Sequence, residues 1–243
     1  MGRLFNLDNP VMNALNKLAD LIILNFLTMI CCIPIFTIGA SATALHYVAL
    51  KIVRDEETYI IKGFFKSFRQ NFKQATIMWI IMLLALAVLI GDFVIISKSG
   101  IAFPSWIRVA LIAIGILFVF AIMHAFPMLA KFDNTIRGTF KNSLYMGILS
   151  LPKTILMMVC WVIPAVIAIY VYQALPIVIM LGISGPAFLN ALLYNKTFKR
   201  FEQQEEVASD EDWTVPVEET EEVPGDGKDA QDFPEEKENG EQL

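Results

Sequence analysis

The chain has 243 residues, 56% of them apolar and only 18% charged, with a mean hydropathy of +0.57. Soluble domains carry roughly 25% charged residues, so this composition argues against a water-soluble protein and excludes a secreted disulfide scaffold, a coiled coil and a free nucleic-acid-binding domain. The formal charge of −5 hides two opposite parts: residues 1–201 hold 17 cations and 7 carboxylates, whereas 202–243 hold 2 and 17.

The apolar residues gather in runs of about 20, the length that crosses roughly 30 Å of hydrocarbon. The expected fold class is therefore all-α: a polytopic transmembrane helix bundle over 1–201, followed by a disordered acidic tail over 202–243. The polar first ten residues contain no small-residue cleavage site, so the first apolar segment is expected to be retained.

Asn9 and Pro10 form an N-cap followed by proline at the first helical position, predicting a helix from there to about Cys31. Pro34 and Gly39 interrupt it. A second helix is predicted from Gly39 to Val53, ended by the charges at 54–57. One straight helix over 18–53 would be roughly 54 Å long, too long for a single crossing. A hairpin here gives six crossings in all; one crossing plus a re-entrant piece gives five.

Residues 60–73 place Phe64, Phe65, Phe68 and Phe72 mainly on one helical face, with Lys62, Lys66, Arg69 and Lys73 mainly on the other. This pattern predicts an amphipathic elbow helix in the headgroup plane, pinned by its aromatics and by anionic lipid. A partner-binding elbow has the same pattern. Further spans are predicted from Gln74 to Ser97, Ser105 to Leu129, Ile148 to Tyr172 and Leu175 to Tyr194. Pro164 in the third of these is expected to kink the helix rather than break it, because a bundle can re-satisfy the freed carbonyl.

Cations concentrate at 51–73, at 131–153 and at Lys196, Lys199 and Arg200, whereas the intervening connections carry only Lys98 and Arg108. By the positive-inside rule the stretches 51–73 and 131–147 and the C-terminus are cytoplasmic. Six crossings, as three hairpins, then put the N-terminus on the same side, and this count is favoured. Similar aromatic-basic exits at 44–51, 125–132 and 191–198 suggest a repeated two-helix unit. The general preference of such residues for the cytoplasmic interface explains them equally well.

No phosphate-binding loop, dinucleotide fingerprint, zinc-protease motif or nucleophile elbow is present in the sequence. No catalytic, cofactor-binding or metal-binding residue is assigned, and no cofactor is expected. Cys31, Cys32 and Cys160 lie in apolar runs and read as packing residues. The polar intramembrane candidates are His46, His124, Asp92, Asn25 and Asn190, with Asp20, Thr28, Thr43 and Gln173 beside them. Ionisable groups in a membrane are functional candidates by default, although hydrogen-bonded packing explains the same residues. Gly-Ala-Ser-Ala at 39–42 and Gly-Ile-Ser-Gly-Pro at 182–186 interrupt apolar segments. Transporter sites use such breaks, and a tight helix contact uses them too. The interfacial or partner-contact candidates are Phe64, Phe65, Lys66, Phe68, Arg69 and Phe72.

The tail holds acidic runs at 218–222 and 234–238 and cannot bury enough apolar surface to order itself. It reads as a solubilising segment, or as a docking segment anchored by Trp213 and Phe233.

Thr-Ile-Gly-Ala-Ser-Ala-Thr-Ala-Leu-His-Tyr at 37–47 and Phe-Phe-Lys-Ser-Phe-Arg-Gln-Asn-Phe-Lys-Gln-Ala-Thr at 64–76 resemble stretches of the YesL-like family of bacterial membrane proteins. So do Phe-Pro-Met-Leu-Ala-Lys-Phe-Asp at 126–133 and Gly-Pro-Ala-Phe-Leu-Asn-Ala-Leu-Leu-Tyr at 185–194. The resemblance covers residues 1–201 and leaves out the tail. It implies a multi-pass protein of the bacterial plasma membrane without an assigned activity, in the company of carbohydrate uptake and sensing systems. The expected function is thus a non-enzymatic accessory protein, with the lipid bilayer and a carbohydrate transporter or sensor component as partners and no nucleic acid. The alternative is a small secondary transporter or channel. A membrane enzyme would need His46, His124 and an acid to converge.

Overall fold

A computed structural model describes residues 10–56, 59–98, 104–132 and 134–212. Among the described residues the regular structure is helical throughout, in eight α-helices: α1 (Pro10–Cys31), α2 (Ile38–Val53), α3 (Ile60–Lys98), α4 (Ser105–Lys131), α5 (Ile136–Leu149), α6 (Leu151–Tyr170), α7 (Leu175–Leu181) and α8 (Ser184–Asp212). Five stretches of helix are long and apolar enough to cross a membrane, and a sixth arises if α7 and α8, bent by 58° at their junction, count as one span.

The α1–α2 hairpin follows from Pro34, which has no N–H to continue a helix. The chain turns through Cys32–Pro34 and a short 3₁₀ turn at Ile35–Thr37. The Thr37 hydroxyl lies 2.6 Å from both the Cys31 and the Pro34 carbonyl, so it satisfies a backbone group that the end of α1 leaves orphaned. Trp79 Nε1 of α3 donates to the Ile35 carbonyl at 2.9 Å and ties the same turn to the bundle. At its other end α2 stops at Arg54, and Asp55 takes a left-handed conformation (φ 55°) and pairs with Lys17 of α1 at 2.6 Å.

α2 is the central helix, with eleven of its 16 residues buried. Its small residues allow this. A Cβ at Gly39 would stand 2.5 Å from the Ala75 carbonyl oxygen and 2.7 Å from Trp79 Cβ, so α2 and α3 touch backbone to backbone there. In lipid such close packing and interhelical hydrogen bonds hold helices together, since the surrounding tails are as apolar as the side chains.

α3 differs from expectation in one respect. Residues 60–73 are helical as predicted, yet they do not form a separate surface helix. They run without interruption into the span, giving one helix of 39 residues, roughly 58 Å long at 1.5 Å per residue. The polar-to-apolar change near Gln74 alters what the helix meets and leaves its backbone hydrogen bonding intact. By contrast, α5 is a distinct elbow, capped by Thr135, whose hydroxyl accepts from Gly138 N–H at 3.2 Å, and separated from α6 by Ser150. Pro164 leaves α6 unbroken.

Packing is concentrated at one end of the bundle. The buried residues of α3 stop at Met82, those of α4 begin at Phe120, and those of α6 are Thr154, Met157 and Cys160. This is the end that carries the basic connections. At the other end α3, α4 and α6 stand apart. An apolar groove of about 400 Å³ lies between them, lined by Phe93, Ile112, Gly115 and Met158 among others. A second, of about 580 Å³, runs between α4 and α6 along Ile116, Val159, Ile163 and Ile167.

α8 continues to Asp212, ten residues past the boundary at 202 that composition suggested. Trp213, Phe233 and the acidic runs of the expected tail lie outside the described residues, as does the Asn9 cap.

Candidate functional site

The buried polar groups of the packed half are the candidate functional residues, and Asn25 has the most contacts between helices. Gly182 and Ile183 end α7, and Pro186, without an N–H, sits in the first turn of α8. The break leaves carbonyls orphaned at the end of α7 and N–H groups orphaned at the start of α8. Asn25, fully buried on α1, meets both kinds at once. Its Nδ2 donates to the Ile179 carbonyl at 2.8 Å, and its Oδ1 accepts from the Ile183 and Ser184 N–H groups at 2.9 and 3.0 Å. Donor and acceptor ends both match, so the amide orientation is fixed by the network. α1 therefore caps the two halves of a broken helix.

His46 on α2 is buried, with Nδ1 3.3 Å from Tyr194 Oη of α8 and the two rings edge to face at 6.1 Å. His124 on α4 places Nε2 3.0 Å from Thr154 Oγ1 of α6, and that hydroxyl lies 3.1 Å from both the Gly147 and the Ser150 carbonyl. Each imidazole therefore has its own partner on a different helix. Asn190 differs. It is fully buried on α8, and neither its Oδ1 nor its Nδ2 has a hydrogen-bond partner; Ser184 Oγ and His124 Nδ1 are likewise unpaired. A buried carboxamide without partners carries a desolvation cost of about 1–3 kcal/mol that a polar ligand or water would relieve.

The remaining polar candidates do not join this group. Asp92 is exposed on the part of α3 beyond Met82, where the helix buries nothing. Gln173 is exposed in the turn before α7. Asp20 lines a surface depression with Tyr59, Lys62 and Phe65. Thr43 bonds only to Gly39 of its own helix, whereas the Thr28 carbonyl accepts from Ser41 of α2 at 3.2 Å. The three cysteines are free.

The aromatic face at 60–73 turns inward rather than toward lipid. Phe64 is fully buried in the same core as Leu45 and Val48 of α2, and Phe68 stacks on it at 6.1 Å with planes 19° apart. Phe72 follows at 5.5 Å from Phe68 and packs on the second core around Met78. Phe65 is exposed, as are Lys66 and Arg69. The i, i+4 spacing marked the apolar face correctly, but a protein interior and a membrane surface demand the same pattern.

At the basic end Arg54, which caps α2, donates through Nε to Asn195 Oδ1 at 2.8 Å and through both terminal nitrogens to Glu202. Lys131, the last residue of α4, meets the same carboxylate at 3.2 Å. The ends of α2 and α4 thus converge on one acid of α8. Sequence reasoning missed this clasp because Glu202 opens the acidic run. It also missed Tyr194 and Thr154, whose signal was a polar group at helical spacing from other buried positions.

With this geometry in hand, one comparison is informative. Residues 21–93 match the family described as Protein of unknown function, DUF624. The DUF624 match takes in α1 from Leu21, all of α2 and most of α3, and so holds Asn25, His46 and the inward phenylalanines. The groups that Asn25, His46 and Arg54 bond on other helices lie outside it, on α7, on α8 and in the turn between them. No curated protein and no solved structure matches the chain.

Proposed function

We propose that this protein is a YesL-like accessory component of the bacterial plasma membrane, without enzymatic activity, that holds a carbohydrate transporter or sensor component. The DUF624 match supports the family reading, which rests further on the stretches at 126–133 and 185–194 beyond it. The observation that carries the functional reading is how the polar groups of the bundle are used. Asn25 closes a helix break, His46 and His124 each hold a different helix pair, and Arg54 and Lys131 share Glu202. These are structural roles. Meanwhile α3, α4 and α6 leave an apolar flank open at the opposite end, the kind of face a second membrane protein can cover. The basic ends of α2, α4 and α8 face the cytoplasm in this reading.

The test is purification from the native membrane in mild detergent, beside a version ending at Asp212. A transporter or sensor component in near-equal amount supports the reading, and its loss from the shorter version assigns the contact to the tail. A solitary protein in both preparations overturns it.

One observation favours a second reading, a small transporter or channel. The break between α7 and α8 adjoins the unpaired Ser184 hydroxyl, and α8 also carries the unpaired Asn190, a distribution that suits a polar solute. Vesicles carrying the protein that pass no more sugar or common ions than empty ones would remove this alternative.

A further inference from the structure

The outward face of α8 changes character along its length. Leu189, Leu192, Lys196 and Arg200 recur at spacings of three and four, which places them along one side of a helix. Leu189 and Leu192 are 45% and 49% exposed, and Leu156 of the neighbouring α6 is 48% exposed. Past this apolar strip the exposed positions are Lys196, Lys199 and Arg200. Lys153, near the start of α6, donates to Thr197 Oγ1 at 2.8 Å and is thereby pinned against α8 between Lys196 and Arg200 in sequence. Thr197 follows Lys196 directly and lies three residues before Arg200, one helical turn, so this bond brings a third cation to the same stretch of α8.

Like charges so placed repel unless an anion intervenes. Among the described side chains none supplies it: Glu202 is engaged by Arg54 and Lys131, and none of the ion pairs among the described residues includes Lys153, Lys196 or Arg200. An apolar strip that ends in unpaired cations complements a molecule with a hydrocarbon chain and a negative head. We infer that the ends of α6 and α8 form a site for an anionic phospholipid, its phosphate held by Lys153, Lys196 and Arg200 and one acyl chain laid along Leu156, Leu189 and Leu192. Basic recesses between transmembrane helices bind lipid headgroups in this way.

The test is native mass spectrometry of the full-length protein in mild detergent, titrated with phosphatidylglycerol or with phosphatidylcholine of the same chains. The wild type is expected to retain phosphatidylglycerol preferentially. The Lys196→Gln/Arg200→Gln variant should lose that preference by roughly ten- to thirty-fold, since each cation near an anionic lipid contributes about 1 kcal/mol. A Lys66→Gln/Arg69→Gln variant, which removes two exposed cations of α3, should keep it. Should the α8 variant fail to fold, Lys153→Gln is read in its place. Equal retention of the two lipids by the wild type, or a preference unchanged in the α8 variant, overturns the site. Displacement of the lipid by an equal concentration of inorganic phosphate overturns it too, by showing a free-anion site.

Discussion

Arg54 and Glu202 face each other as a fork on a fork, with hydrogen bonds of 3.3 and 2.9 Å spanning 148 positions of sequence. Two parallel charge-assisted bonds fix orientation as well as distance. Because Lys131 joins the same carboxylate, the ends of α2 and α4 are both held to α8 by a single side chain.

Glu202→Gln should therefore loosen the ends of α2 and α4 from α8. With Glu202 and Lys131 partly exposed, the expected loss is about 1–2 kcal/mol of stability in detergent. Thermal unfolding at low and high salt checks this. The wild type should lose stability as salt rises and the variant should lose much less. An equal salt response in both would mean the clasp contributes nothing.

Phe64→Ala and Phe65→Ala separate a protein-facing from a lipid-facing aromatic row. Phe64 is fully buried and Phe65 is 41% exposed. Truncating the first should cost about 3–5 kcal/mol and the second under about 1 kcal/mol. Comparable losses in unfolding temperature would contradict the inward placement.

Gly39→Ala should be poorly tolerated and Gly185→Ala well tolerated. The added methyl meets the Ala75 backbone at Gly39, whereas at Gly185 the nearest atom is Leu181 Cβ at 3.9 Å. The expected costs are about 1–3 kcal/mol for the first and within about 0.5 kcal/mol for the second. Size-exclusion profiles after graded heating distinguish them, and a stable monodisperse Gly39→Ala protein would refute the tight α2–α3 approach.

Asn25→Ala removes the three hydrogen bonds to the helix break and bares both its ends. A loss of about 2 kcal/mol is expected, at the upper end for an intramembrane polar group. Thr43→Ala, which removes only a bond within one helix, should cost less. Equal losses would show that the break is satisfied without α1.

Helix ends set by proline were legible from residue type alone. Pro10 and Pro34 each mark a boundary, because a missing N–H acts locally and needs no tertiary context, whereas the break between α7 and α8 falls inside the single span expected from Leu175 to Tyr194. The course of α3 was not legible. Lys62 to Lys73 looks interfacial by composition, but nothing in the change to apolar residues at Gln74 tells the backbone to stop. Asn25 stood out as an amide in an apolar run. Its partners did not, since Ile179, Ile183 and Ser184 engage it through backbone groups that any residue would offer. The inward turn of Phe64 depends on α2 lying alongside, and the pairing of Glu202 depends on α2 and α4 ending beside α8. Both are properties of the assembled bundle.

The position of Asn25 also has a consequence for biosynthesis. Its partner Ile179 follows it by 154 residues. At about 5–20 residues per second, roughly 8–30 s separate the emergence of the two. Throughout that interval the first helices wait with a bare amide, and the last helix to be made is the one that releases them from it. A chain that stops short of α7 never offers Asn25 the backbone groups that it bonds in the finished bundle.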